Sequence, residues 1–90
     1  MRMSITQTLH QAITTALANL GISGVAFTLE HPTDLAHGDF ACNAALVAAK
    51  QVGKNPRTLA DDIKVEIEKL EISEIDSVVI AGPGFINITL

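Results

Sequence analysis

The sequence predicts a small two-layer α+β domain, with helices packed on one face of a mostly antiparallel sheet and a β-hairpin at its C-terminal end. Three observations carry this prediction. Apolar residues between positions 4 and 20 recur every three or four places, the spacing of a single helical stripe. Two β-rich runs, residues 77–81 and 85–90, are joined only by Gly82-Pro83-Gly84, a link short enough to return the second run alongside the first. Between these ends lie one short β-rich run and two more helical segments. The order is thus helix, strand, two helices, two strands, which gathers the helices on one side of a single sheet.

In residues 4–20 the stripe consists of Ile5, Leu9, Ala12, Ile13, Ala16, Leu17 and Leu20, with Ser4 as N-cap and Gly21 as terminator. His10 and Gln11 fall off its dense part, which puts His10 at the surface. Residues 25–29 mix β-branched and aromatic side chains and close on His31-Pro32, so they read as a strand, followed by a loop over 33–38. Residues 41–52, ACNAALVAAKQV, are rich in alanine and end at Gly53, which predicts a second helix packed closely against a neighbour. The third helix has the sharpest start, with Asn55 as N-cap, Pro56 in the first position and Asp61 and Asp62 soon after. Leu59, Ile63, Ile67 and Leu70 make its buried stripe, and Lys64, Glu66, Glu68 and Lys69 its solvated face. In the last run, alternation sends Ile86, Ile88 and Leu90 inward and Phe85, Asn87 and Thr89 outward.

Ninety residues make one domain, which buries about 60–65 % of the surface its unfolded chain exposes. With 48 % hydrophobic residues, three Phe and no Trp or Tyr, the core is built from Ala, Leu, Ile and Val. Six Lys and Arg against ten Asp and Glu give a net charge of −4, the wrong sign for holding nucleic acid by long-range attraction. Any such binding has to be local. From position 40 to 60 the only charged residues are Lys50, Lys54 and Arg57. The single cysteine, Cys42, precludes an internal disulfide and fits a reducing, cytoplasmic setting. The first residues, MRMSITQTLHQ, lack the apolar run of a signal peptide, and no stretch approaches the length of a membrane span.

Several residue types invite chemistry. His31 and His37 lie near Asp34 and Asp39, but their spacing matches no metal-ligand motif, so a polar loop is expected there. Cys42 has no adjacent base and reads as a half-buried helix residue. Gly82-Pro83-Gly84 precedes a strand, whereas a phosphate-cradling loop precedes a helix. The outward face of the last strand is different. Unpaired RNA is read by stacking a base on an aromatic plane and hydrogen-bonding its edge with an amide, and Phe85 and Asn87 supply both parts two residues apart. Pattern alone also allows Phe85 to pack under a helix and Asn87 to cap an edge. Lys50, Lys54 and Arg57 are open to two readings as well, as phosphate contacts or as ordinary surface charge. A third possibility for the hairpin is an exposed edge, ending at Leu90, that recruits a partner or a second copy.

The stretch HGDFACNAALVAAKQVGKNPRTLADDI, residues 37–63, resembles the N-terminal additional domain of arginyl-tRNA synthetases, and the ending AGPGFINITL is similar to that family's AGPGFINF-like close. The resemblance implies a domain standing before a class I catalytic core that uses ATP to attach arginine to its transfer RNA. Its sheet surface is expected to meet the D-loop at the outer corner of the RNA, with Phe85 in the aromatic place and Asn87 in the amide place. Gly38, Asp39, Phe40 and Asn43 are expected to be structural: a glycine turn, an Asp capping a helix, a ring in the core and an Asn closing local hydrogen bonds. The His-x-Gly-His and Lys-Met-Ser-Lys-Ser type sequences of the active site are absent, so no catalytic residue, metal or cofactor is expected in these 90 residues. ATP is a substrate of the full enzyme, whose catalytic and anticodon-binding parts are expected to follow Leu90. The expected partners are the transfer RNA for arginine and those remaining domains.

Overall fold

Helix α1 (Ile5–Asn19) starts where two orphan backbone groups find partners: Ser4 Oγ accepts the Gln7 N–H at 3.2 Å, and Gln7 Oε1 accepts the Ser4 N–H at 2.9 Å. The structure, a computed structural model, describes residues 4–31 and 38–90. After α1 come β1 (Leu29–Glu30), β2 (Phe40–Cys42), α2 (Ala44–Val52), α3 (Pro56–Lys69), β3 (Ser77–Ala81) and β4 (Phe85–Thr89). Asn55 caps α3, its Oδ1 accepting the N–H groups of Arg57 and Thr58 at 2.9 and 3.2 Å. Among the described residues no helix is long and apolar enough to cross a membrane.

The helices form one layer. Leu9, Ile13, Leu59, Ile63 and Ile67 are fully buried against Ile86 and Ile88 of the sheet. Ala44, Ala45, Ala48 and Ala49 bury one side of α2, where their small side chains let it approach α3 closely. Leu70 leaves the predicted stripe: α3 stops at Lys69, and Leu70, 37 % exposed, turns away as the C-cap.

The sheet runs β1-β2-β4-β3 with every neighbouring pair antiparallel. Three expectations change here. First, residues 41–52 are not all helix, because Phe40–Cys42 pairs with β4, placing Phe40 opposite Ile88 and Cys42 opposite Ile86. Strand pairing and burial of two side chains outweigh the helix preference of one alanine. Second, the strand read over 25–29 shrinks to Leu29–Glu30, since the Thr28 N–H leaves the ladder and donates to Asn43 Oδ1 at 2.7 Å. Third, β4 is not an edge strand ending at Leu90; it lies between β2 and β3, and the edges are β1 and β3. Most of the loop expected over 33–38, including Asp34 and His37, lies outside the described residues.

Cys42 is likewise corrected. It is a fully buried strand residue, and burial pushes its thiol up to about 11, so it stays protonated and unreactive at neutral pH.

Candidate nucleic-acid interface

Strand alternation divides the sheet into two unlike faces. Val78, Ile80, Ile86, Ile88, Phe40 and Cys42 turn toward the helices. The other face carries Phe85, Asn87 and Thr89 on β4, Ala41 on β2, and Ser77, Val79 and Ala81 on β3. Glu30, opposite Ala41, brings the one charge among these strand positions. Phe85 is 40 % exposed, so it does not pack under a helix. Asn87 is only 8 % exposed because Ala41 and Val79 flank it from the neighbouring strands.

Both residues line an open depression of about 460 Å³, together with Ala41, Ala81, Gly82 and Pro83. That volume lies within the roughly 300–1,000 Å³ of small-molecule sites. Among the described residues nothing hydrogen-bonds to the Asn87 side chain, and no side-chain polar atom is sealed from solvent without a partner. The amide therefore offers one donor group and one acceptor to whatever enters.

The turn carrying Phe85 is held from below by α3. Gly84 has φ 141°, and a Cβ there would sit 3.0 Å from both C and O of Pro56, so only glycine lets the turn rest on the helix start. Arg57 Nη1 donates to the Gly82 carbonyl oxygen at 2.7 Å. One of its five donors is thus engaged in fixing the turn, a role that sequence spacing did not suggest. Lys50, in the last turn of α2, and Lys54, in the α2–α3 link, are exposed on the chain leading into Pro56. The structure brings Arg57 to the hairpin, while the two lysines remain in the helix layer.

The opposite end of β4 is closed by Gly38, Asp39 and Phe40. Asp39 does not cap a helix: its N–H donates to the Ile88 carbonyl at 2.9 Å, and its Oδ2 accepts the Leu90 N–H at 2.7 Å. Gly38, at φ 80°, passes so near β4 that a Cβ would lie 2.8 Å from Thr89 Oγ1 and 2.9 Å from the Ile88 oxygen. Phe40 is in the core as expected, and His31 lies against its ring at a 4.4 Å centroid distance. His31 Nδ1 donates to the Asp39 carbonyl oxygen at 3.1 Å. Asn43 precedes α2 without capping it and serves the Thr28 N–H instead. His10, exposed on α1, stacks on Phe27 at 4.5 Å and fastens the segment before β1. Among the described residues no three His, Cys, Asp or Glu side chains are grouped as metal ligands.

Residues 5–90 match the family model described as the arginyl tRNA synthetase N terminal domain. The chain belongs to that family. Among its curated relatives, the arginine-tRNA ligase of Ralstonia nicotianae is 42 % identical over 93 residues, covering 99 % of this chain and 15 % of the relative. Those of Rhizobium etli and an Anaeromyxobacter species are 52 % and 50 % identical over 70 % and 72 % of the chain, and 10 % and 11 % of the relatives. The match therefore spans only 10–15 % of the length of these relatives. A crystal structure of arginyl-tRNA synthetase from Plasmodium falciparum superposes with a TM-score of 0.80 over 96 % of the chain and 16 % of that structure, at 17 % identity, which shows a shared fold.

For this arginyl-tRNA synthetase N-terminal domain, the motif at residues 38–40 takes on a physical meaning. Its glycine and aspartate secure the strand that presents Phe85 and Asn87.

Proposed function

We propose that this domain recognises the transfer RNA for arginine at its D-loop, on the outer corner of the molecule. The RNA is thereby positioned for a class I catalytic core, outside these residues, that uses ATP to join arginine to the 3′ end. A cytoplasmic setting accords with this role and with the single buried thiol. The observation that carries the reading is the convergence of Phe85 and Asn87 on one uncharged depression of the sheet. A base extruded from a loop stacks on the ring while its edge meets the amide.

Lys50, Lys54 and Arg57 supply phosphate contacts, and Arg57 retains donors beyond the one given to Gly82. Stacking one base contributes about 1–3 kcal/mol, and a chain of net charge −4 adds little long-range attraction. Binding by the isolated domain is accordingly weak, and its contribution is identity and placement.

A titration of the ¹⁵N-labelled chain with the transfer RNA for arginine, repeated with a D-loop-substituted RNA, tests the reading. Shifts at Phe85 and Asn87 that disappear with the altered loop are expected; equal shifts for both RNAs, confined to the lysines, refute base reading. Phe85→Ala in a full synthetase is expected to raise KM for this RNA about tenfold, the loss of one stacked base. An unchanged KM counts against the strand's role. The open edge of β3, with Val79 55 % exposed, favours self-association as the second reading. A dimer that persists at low concentration and ignores RNA would select it.

A further inference from the structure

The two strand residues beside Phe85 and Asn87 in the depression are both alanines. Ala41 stands opposite Asn87 on β2, and Ala81 opposite Phe85 on β3. Alanine is depleted from strands, where β-branched and aromatic side chains pack better. The inward positions of these strands hold larger side chains, with Phe40 and Cys42 on β2 and the β-branched Val78 and Ile80 on β3. Val79 is β-branched too; it faces outward beside Asn87 but does not line the depression. The small residue thus appears at the two outward places where a larger one would fill the space next to the ring.

We propose that Ala41 and Ala81 are specificity-determining residues that set the size of the ligand admitted to this face: one unpaired nucleobase lying against Phe85 with its edge toward Asn87. The inference rests on the base-reading proposed above and assigns it two residues outside the aromatic and amide pair. The floor is apolar on the alanine side and polar at Asn87, which suits a flat heterocycle that has one hydrogen-bonding edge. Gly82 and Pro83 close the remaining side, on a turn fixed by Arg57. The extra methyl groups of valine at either alanine occupy volume that the base requires.

The test titrates the ¹⁵N-labelled 90-residue chain with the transfer RNA for arginine, comparing wild type with Ala41→Val, Ala81→Val, Ala81→Ser and Phe85→Ala. Valine favours strands, so both valine variants are expected to melt at or above the wild-type temperature, which separates blocked binding from unfolding. They are expected to lose the shift of the Asn87 side-chain amide and to bind about tenfold more weakly, as for a lost stacked base. Ala81→Ser, similar in size, should bind within about twofold of wild type, the change of a site left open. Valine variants with wild-type affinity and an unchanged Asn87 shift overturn the size gate; if Phe85→Ala still weakens binding, base reading survives without it. A wild-type chain whose Asn87 amide never responds to RNA refutes base reading, and the gate falls with it.

Discussion

Gly38 shows how a single residue can be fixed by a strand remote in sequence. Its left-handed backbone and the 2.8–2.9 Å approach of a virtual Cβ to Thr89 and Ile88 leave no room for a side chain. Gly38→Ala adds backbone strain of about 1–2 kcal/mol and overpacking of similar size, so a loss of about 2–4 kcal/mol is expected in urea denaturation. A loss under about 1 kcal/mol would show that β4 yields easily. Cys42 gives a second test. Its folded-state thiol is raised from 9.0 to about 11 by burial, so the unfolded chain ionises first and stability falls as pH rises from 9 through 11. The full effect is about 2–3 kcal/mol, and Cys42→Ala should remove that part of the pH dependence. At this scale the sequence was half legible. Alternation sent Phe85 and Asn87 to the correct face, whereas the bond of Asp39 to Leu90 joins residues 51 apart and leaves no local trace.

Among the elements, α1, α3 and the hairpin were readable because their signals are local: a stripe, a cap, a tight turn. Strand β2 was not. Its residues run directly into an alanine-rich helix, and only pairing with Ile86 and Ile88 makes them extended. The same dependence on distant partners moved β4 from the edge to the centre. The bond from Arg57 to Gly82 was equally hidden, since it joins a helix start to a turn 25 residues on. Arg57→Lys keeps the charge but gives up the planar fork that reaches the carbonyl. It is expected to speed hydrogen exchange at the Gly84 N–H, which bonds Ala81, while leaving the salt dependence of RNA binding unchanged. If exchange is unaltered, the bond from Arg57 to Gly82 does not fix the turn.

For the molecule as a whole, the acidic balance and the local basic stretch make a quantitative claim. With Lys50, Lys54 and Arg57 as the phosphate-facing cations, three contacts predict a log–log slope of affinity against salt of about −2. Titration at several salt concentrations measures it, and a slope of about −5 or steeper would require more phosphate-facing cations than these three. Placing β4 between β2 and β3 has a further consequence for how the chain acquires its shape. During synthesis the helices and both flanking strands emerge before the strand that joins them; β2 can pair with β1 beforehand, but β3 has no partner until β4 arrives. The pairing of β4 with β3 is a local hairpin, so the step expected to be slow is the docking of that hairpin on β2, which joins residues more than 40 positions apart. Until residues 85–89 clear the ribosome, β2 and β3 stand without the strand that lies between them, and in that interval the nascent chain is expected to be most prone to misassociation.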